Sequence, residues 1–158
     1  MKIELRRITY SAALSRETSA YTADILIDDE LAFRARNDGG GGADFFHQVG
    51  CRTEAEVNSW LKENRPARTF GDFSYNHDLE VEVSDLLARE LEQRRLKRLL
   101  RTNLITIERG KIYQYPLRGR PIETIAGAVR ATNADAIVVN GAASDVFARA
   151  LDILLASR

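Results

Sequence analysis

Hydrophobic and polar positions alternate along the first third of the chain, recur at helical spacing through the middle, and mix both rhythms towards the end. In MKIELRRITY, Ile3 and Leu5 alternate with Lys2, Glu4 and Arg6, which predicts a strand with one wet face. The phase slips at Arg6–Arg7 before Ile8 and Tyr10 resume it, which predicts a bulge. After the polar connector SAALSRET, Tyr21, Ala23, Ile25 and Ile27 share a face, and Asp28-Asp29-Glu30 supplies a turn. Leu31, Phe33 and Ala35 then line one side of a third run, giving an antiparallel hairpin or three-stranded meander.

The helical rhythm starts at Thr53, whose hydroxyl with Glu56 makes a capping box ahead of the stripe Val57, Trp60, Leu61; Pro66 stops it. ARTFGDFSYNHD reads as an aromatic-rich loop or short strand. A long helix is expected from about Leu79 to Arg101, with Val83, Leu86, Leu87 and Leu91 inward. LITIERGKIYQY is two β runs around Arg109–Gly110. Pro121 suits the first turn of a helix carrying Ile122, Ile125 and Val129. DAIVVN has the continuous apolar character of a strand buried on both faces, and Ser144 is placed to cap a last helix. The expected fold is α+β: an N-terminal antiparallel β hairpin or meander, a long central helix, and a small C-terminal β-β-α-β-α unit. At 158 residues a single domain is expected, with the long helix available to join two subdomains, 1–77 and 78–158.

Composition narrows the function classes. Net charge is zero, which removes the simplest argument for a nucleic-acid binder. No apolar run approaches the roughly 20 residues of a membrane helix, and MKIELRRITY lacks the apolar middle of a secretory signal. Cys51 is the one cysteine, so no intrachain disulfide forms. The expectation is a cytoplasmic protein with no membrane partner.

The candidate chemistry gathers at FRARNDGGGGADFFHQ, Phe33 to Gln48. Asn37, Asp38 and Gly39 favour a turn, and the amides of Gly39, Gly40, Gly41 and Gly42 can converge into an anion-binding nest. Phe45, Phe46 and His47 could add a flat stacking surface and a polar contact; Arg36, Phe46 and His47 are the side chains expected to bind, with Arg118 and Arg120 as weaker candidates. The competing reading is a mobile hairpin exit or a tight packing corner. No Lys-Ser or Lys-Thr follows the glycines, so this is not a Walker loop. A Rossmann fingerprint would need a small residue at Asp44 or Phe45. No cofactor is implied.

Asp44, His47 and Cys51 would share a helical face and could hold zinc with His77 or Asp78, but no known zinc spacing is present, and no metal is assigned. Cys51 with His47 or His77 lacks the surroundings of a catalytic thiol. Asp38, Asp44, Asp72 and Asp78 fit turn positions better than a carboxylate pair. Arg94, Arg95, Lys97, Arg98 and Arg101 oppose the negative end of a helix dipole and offer the one patch through which nucleic acid could bind.

The motif Asn37-Asp38-Gly39-x-Gly41-Gly42 after a β hairpin, with His47 downstream, resembles a group of short uncharacterised phage and prophage proteins. The likeness extends loosely to RRLKRLLR and the α/β tail, while ADFF at 43–46 departs from it. It implies a phage accessory protein working in the host cytoplasm, in the manner of anti-defence proteins, and transfers no residue role. The functional expectation is a non-enzymatic binder of a small phosphorylated or nucleotide-like ligand, able to form homo-oligomers. The alternatives are an adaptor that binds a host protein through this loop and FGDFSY, and a small hydrolase or nuclease using Asp38, Asp44 and His47.

Overall fold

The computed structural model describes residues 1–157, and the chain divides into two compact units, Met1–Leu87 and Ala88–Arg158. The fold is α+β.

In the first unit, β1 (Ile3–Ser11), β2 (Ala20–Ile27), β3 (Glu30–Asn37) and β4 (Phe45–Gln48) form an antiparallel sheet in the order β1-β2-β3-β4. The β1–β2 register shifts between Arg6 and Thr9, and Arg7 takes a left-handed φ of 49° there, so the slipped phase is a bulge. Asp28 and Asp29, both at positive φ, join β2 to β3; aspartate tolerates this because its short polar side chain bonds locally. Here Asp28 Oδ1 accepts from the Lys2 amide at 2.8 Å. Tyr21, Ala23, Ile25, Ile27, Phe33 and Ala35 are buried on one face of the sheet. Beyond the sheet, this unit's buried apolar side chains are Val57 and Leu61 of α1 (Glu54–Asn64) and Leu79, Val83 and Leu87 of α2 (Leu79–Leu99).

The fourth strand is an addition to the expected meander: Phe45–Gln48 is extended and pairs with β3 on the far side of the glycine run. The expected capping box is present, with Glu56 Oε2 accepting from the Thr53 amide at 2.8 Å and Thr53 Oγ1 from the Glu56 amide at 3.3 Å. Between the helices, β5 (Arg68–Phe70) and β6 (Phe73–Tyr75) make a small hairpin of exposed residues.

In the second unit, β7 (Asn103–Glu108) lies between β8 (Lys111–Pro116) and β9 (Ile137–Val138), all antiparallel. Every residue of β7 is buried. Ile105 and Ile107 pack with Leu96, Val139 and Ala150, the last from α4 (Ser144–Ala156); Leu104 points the other way, into Ile125, Ala126 and Val129 of α3 (Ile122–Thr132). Arg109 and Gly110, at φ 50° and 76°, close the β7–β8 hairpin with the twist that two-residue turns require.

Two local expectations are corrected. The strand buried on both faces is β7; DAIVVN contributes only Ile137–Val138, after which the chain turns away. The Asn140 side chain then stands in for the missing strand, accepting from the Ile105 amide at 2.8 Å and donating to the carbonyls of Asn103 (2.8 Å) and Leu100 (3.1 Å). Ser144 does not cap α4: the N-cap residue is Ala143, with no side-chain cap. Pro121 sits one residue before α3. Among the described residues no helix is long and apolar enough to cross a membrane.

Candidate functional site: a cationic groove on the sheet face

The glycine run is held from within. The Gly39 carbonyl accepts from the amides of Arg16, Glu17 and Thr18 (3.1, 3.1 and 3.4 Å), pinning the loop to the β1–β2 connector. The Gly39 amide donates to Asn37 Oδ1 at 2.8 Å, and the Gly41 amide to Thr18 Oγ1 at 3.3 Å. Asn37 ties the knot, its Nδ2 donating to the Gly42 carbonyl (2.9 Å) and to Asp44 Oδ1 (2.8 Å). The Tyr21 hydroxyl donates to the other Asp44 oxygen. Burial, then the hydrogen bond and charge of Asp44, push the Tyr21 phenol well above its usual range.

Two of the four glycines are required, Gly39 by a backbone clash and a left-handed φ, Gly41 by its φ, since the Glu17 carboxylate beside it can swing away. A Cβ on Gly39 would lie 2.2 Å from the Leu14 carbonyl oxygen, and one on Gly41 2.2 Å from a Glu17 carboxylate oxygen; both residues sit at positive φ, 84° and 92°. Gly40 and Gly42 face open space. The amides of Gly39 and Gly41 are thus already engaged, and Asp38 is exposed beside them.

Strand pairing assembles a different constellation on the polar face of the sheet. Side chains alternate along a strand, so the registers Thr22↔Arg36↔Phe45 and Asp24↔Arg34↔His47 set two rows side by side, facing away from Phe33 and Ala35. The bulge adds Arg7, whose Nε donates to Asp24 Oδ2 at 2.6 Å; Arg34 Nε lies 4.0 Å from the other oxygen of the same carboxylate. The Arg36 guanidinium is 5.1 Å from the centroid of the Phe45 ring, at cation–π distance. Together these residues line an open groove of about 480 Å³, whose lining carries three arginines, Arg7, Arg34 and Arg36, and one carboxylate, Asp24.

Of the sequence candidates, Arg36 and His47 line this groove. Phe46 does not: it pairs with Ala35 and shares the opposite face, and Phe45, 54 % exposed, takes the stacking position. Asn37 ends β3, and Asp38 and Gly39 to Gly42 belong to the adjoining loop. Arg118 and Arg120 are exposed in the second unit, on the turn after β8. Arg7, Thr22, Asp24 and Arg34 escape a reading centred on the glycines; the available signal was the row of polar residues alternating with Ala23, Phe33 and Ala35.

The remaining candidates have other partners. Residues 45–48 are a strand, so Asp44, His47 and Cys51 share no helical face; among the described residues no cluster of three His, Cys, Asp or Glu side chains could hold a metal. Cys51 is exposed. His77 is buried with Nε2 2.7 Å from Glu82 Oε2, and Arg65 donates to the same carboxylate at 3.0 and 3.2 Å. Burial raises the Glu82 pKa, but the Arg65 and His77 contacts outweigh it and hold the carboxyl below its usual value. Asp78 Oδ1 accepts from the Val81 amide at 2.9 Å at the start of α2. In the basic run, Arg94 pairs with Glu90 at 2.8 Å and Arg95 with Glu92 at 2.6 Å. The FGDFSY aromatics are exposed: Phe70 79 %, Phe73 78 % and Tyr75 49 %.

No family model matches the chain, and no curated protein or solved structure matches it significantly.

Proposed function

We propose that this chain is a non-enzymatic binding protein whose sheet-face groove holds a small phosphorylated or nucleotide-like ligand. The observation that carries the reading is a groove lined by three arginines, Arg7, Arg34 and Arg36, and one carboxylate, Asp24, next to an exposed aromatic ring. Guanidinium groups grip phosphate through paired charge-assisted hydrogen bonds. Arg34 and Arg36, both exposed, would take the phosphate, while Arg7 and Asp24 hold each other and set the groove wall. Phe45 would stack beneath a flat base, with Arg36 bridging ring and phosphate. His47 and Thr22 supply donors at the two ends of the rows. In the phage setting that the glycine motif resembles, such a binder would keep a nucleotide signal of a bacterial defence system out of reach.

Titration calorimetry against linear and cyclic nucleotides, pyrophosphate and unphosphorylated nucleosides tests this. Binding that requires phosphate and weakens at least roughly tenfold in Arg34→Ala supports it. Silence across the panel, or equal binding of nucleosides, overturns it.

A further inference from the structure

The β5–β6 hairpin is the most exposed cluster of large apolar side chains in the first unit. Its register pairs Phe70 with Phe73 and Arg68 with Tyr75, so the three aromatics and Arg68 share one face, with Thr69 and Ser74 on the other. Arg68 is paired with Asp85 of α2, which leaves the aromatic face without an unpaired cation. Asp72 stands at the tip, between the two phenylalanines. Aromatic rings held this far into water on a short hairpin mark a binding surface.

A surface that fits this tip is present on the molecule. The groove offers an exposed ring, Phe45, with the Arg36 cation over it and Arg34 alongside. Its lining includes no residue of the hairpin, so the chain does not fill its own groove. We propose that the hairpin of a second copy does, with Phe70 and Phe73 packing on Phe45 and the Arg36 plane while Asp72 meets the Arg34 and Arg36 guanidiniums, reciprocally in a two-fold dimer.

Charge and area select this occupant. An anionic tip meets a groove with an excess of cations, whereas hairpin against hairpin would bring two Asp72 carboxylates together. Three aromatics at these exposures present roughly 400 Å². Buried against a like area of groove, twice over in a reciprocal pair, they remove at most roughly 1,600 Å², which reaches the size of a stable interface. A one-way contact or a hairpin-on-hairpin contact reaches only about half of that. The inference needs the groove to be cationic and does not need it to bind a nucleotide; if both hold, the two occupants compete.

Sedimentation velocity across a concentration series tests it on the full chain. The wild type is expected to approach twice the chain mass, and Phe70→Ser/Phe73→Ser to weaken the dissociation constant by roughly 30-fold or more. Asp72→Arg and Arg34→Asp/Arg36→Asp should each be monomeric alone and associate when mixed. All these positions are exposed, and circular dichroism confirms that the variants fold. A wild type monomeric at every concentration overturns the proposal. So does a dimer indifferent to the phenylalanine changes, or one indifferent to the arginine changes. The hairpin variant also separates the two readings: it keeps an intact groove, so nucleotide binding by this monomer would leave the proposed function standing whether or not the wild type dimerises.

Discussion

In the loop at residues 38–44 the backbone is held by hydrogen bonds with neighbouring amides and with the Asn37 and Thr18 side chains, whereas the groove only a few residues away is lined by side chains that reach into open space. Gly39 is locked by three amides on its carbonyl and by Asn37 on its own amide, with no room for a Cβ. Arg34 and Arg36 project from β3 into an open space that tolerates many shapes. The difference separates two uses of a conspicuous sequence. Bare backbone serves close packing as well as it serves ligands, while Arg7 already secures the buried Asp24 carboxylate and leaves the exposed Arg34 and Arg36 less structural work.

That contrast is open to measurement. The largest effect belongs to Gly39→Ala, where a left-handed φ and a Cβ 2.2 Å from the Leu14 carbonyl oxygen combine; about 2–4 kcal/mol of stability should disappear in urea denaturation. Next, Arg34→Ala and Arg36→Ala should each lower nucleotide affinity by about 10- to 100-fold while the melting temperature stays put. If these leave affinity alone and Gly40→Ala abolishes it, the roles of loop and groove are exchanged.

Tyr21→Phe should cost about 1–2 kcal/mol at neutral pH, because Asp44 loses a donor. The same change should flatten the alkaline limb of stability. The folded state holds the Tyr21 proton more tightly than the unfolded chain, whose phenol titrates near 10.0. The stability this confers is therefore complete below that pH and is lost as pH climbs towards the folded value. Urea midpoints between pH 8 and about 11 follow it in both proteins. The smallest effect belongs to Gly40→Ala, which faces open space at no positive φ: neutral, or stabilising by up to about 1 kcal/mol through a less flexible unfolded chain.

The locally determined features were legible. The Arg6–Arg7 slip, the Thr53–Glu56 box and the Arg109–Gly110 turn each depend on residues a few positions apart, and each is present. The fourth strand was not, because Phe45–Gln48 is extended only by virtue of a partner across the glycine run. The same gap hid the site. Arg34 and Arg36 look like ordinary wet-face residues until the register sets them beside Asp24, Thr22 and His47, and Arg7 joins only through a bulge whose direction no periodicity gives. Phe46 and Phe45 were interchangeable in the sequence; one residue of parity decides which meets solvent.

Asn140 carries a further consequence. The β7 segment LITI would be prone to aggregate were its edge free, since an apolar strand with vacant amides and carbonyls templates addition of strands from other molecules. A two-residue neighbour cannot shut that edge; the Val139 amide, donating to the Ile105 carbonyl, and the Asn140 carboxamide, bonding the Ile105 amide and the Asn103 carbonyl, extend the closure. Solubility at high concentration is then expected to fall when Asn140 is replaced by alanine.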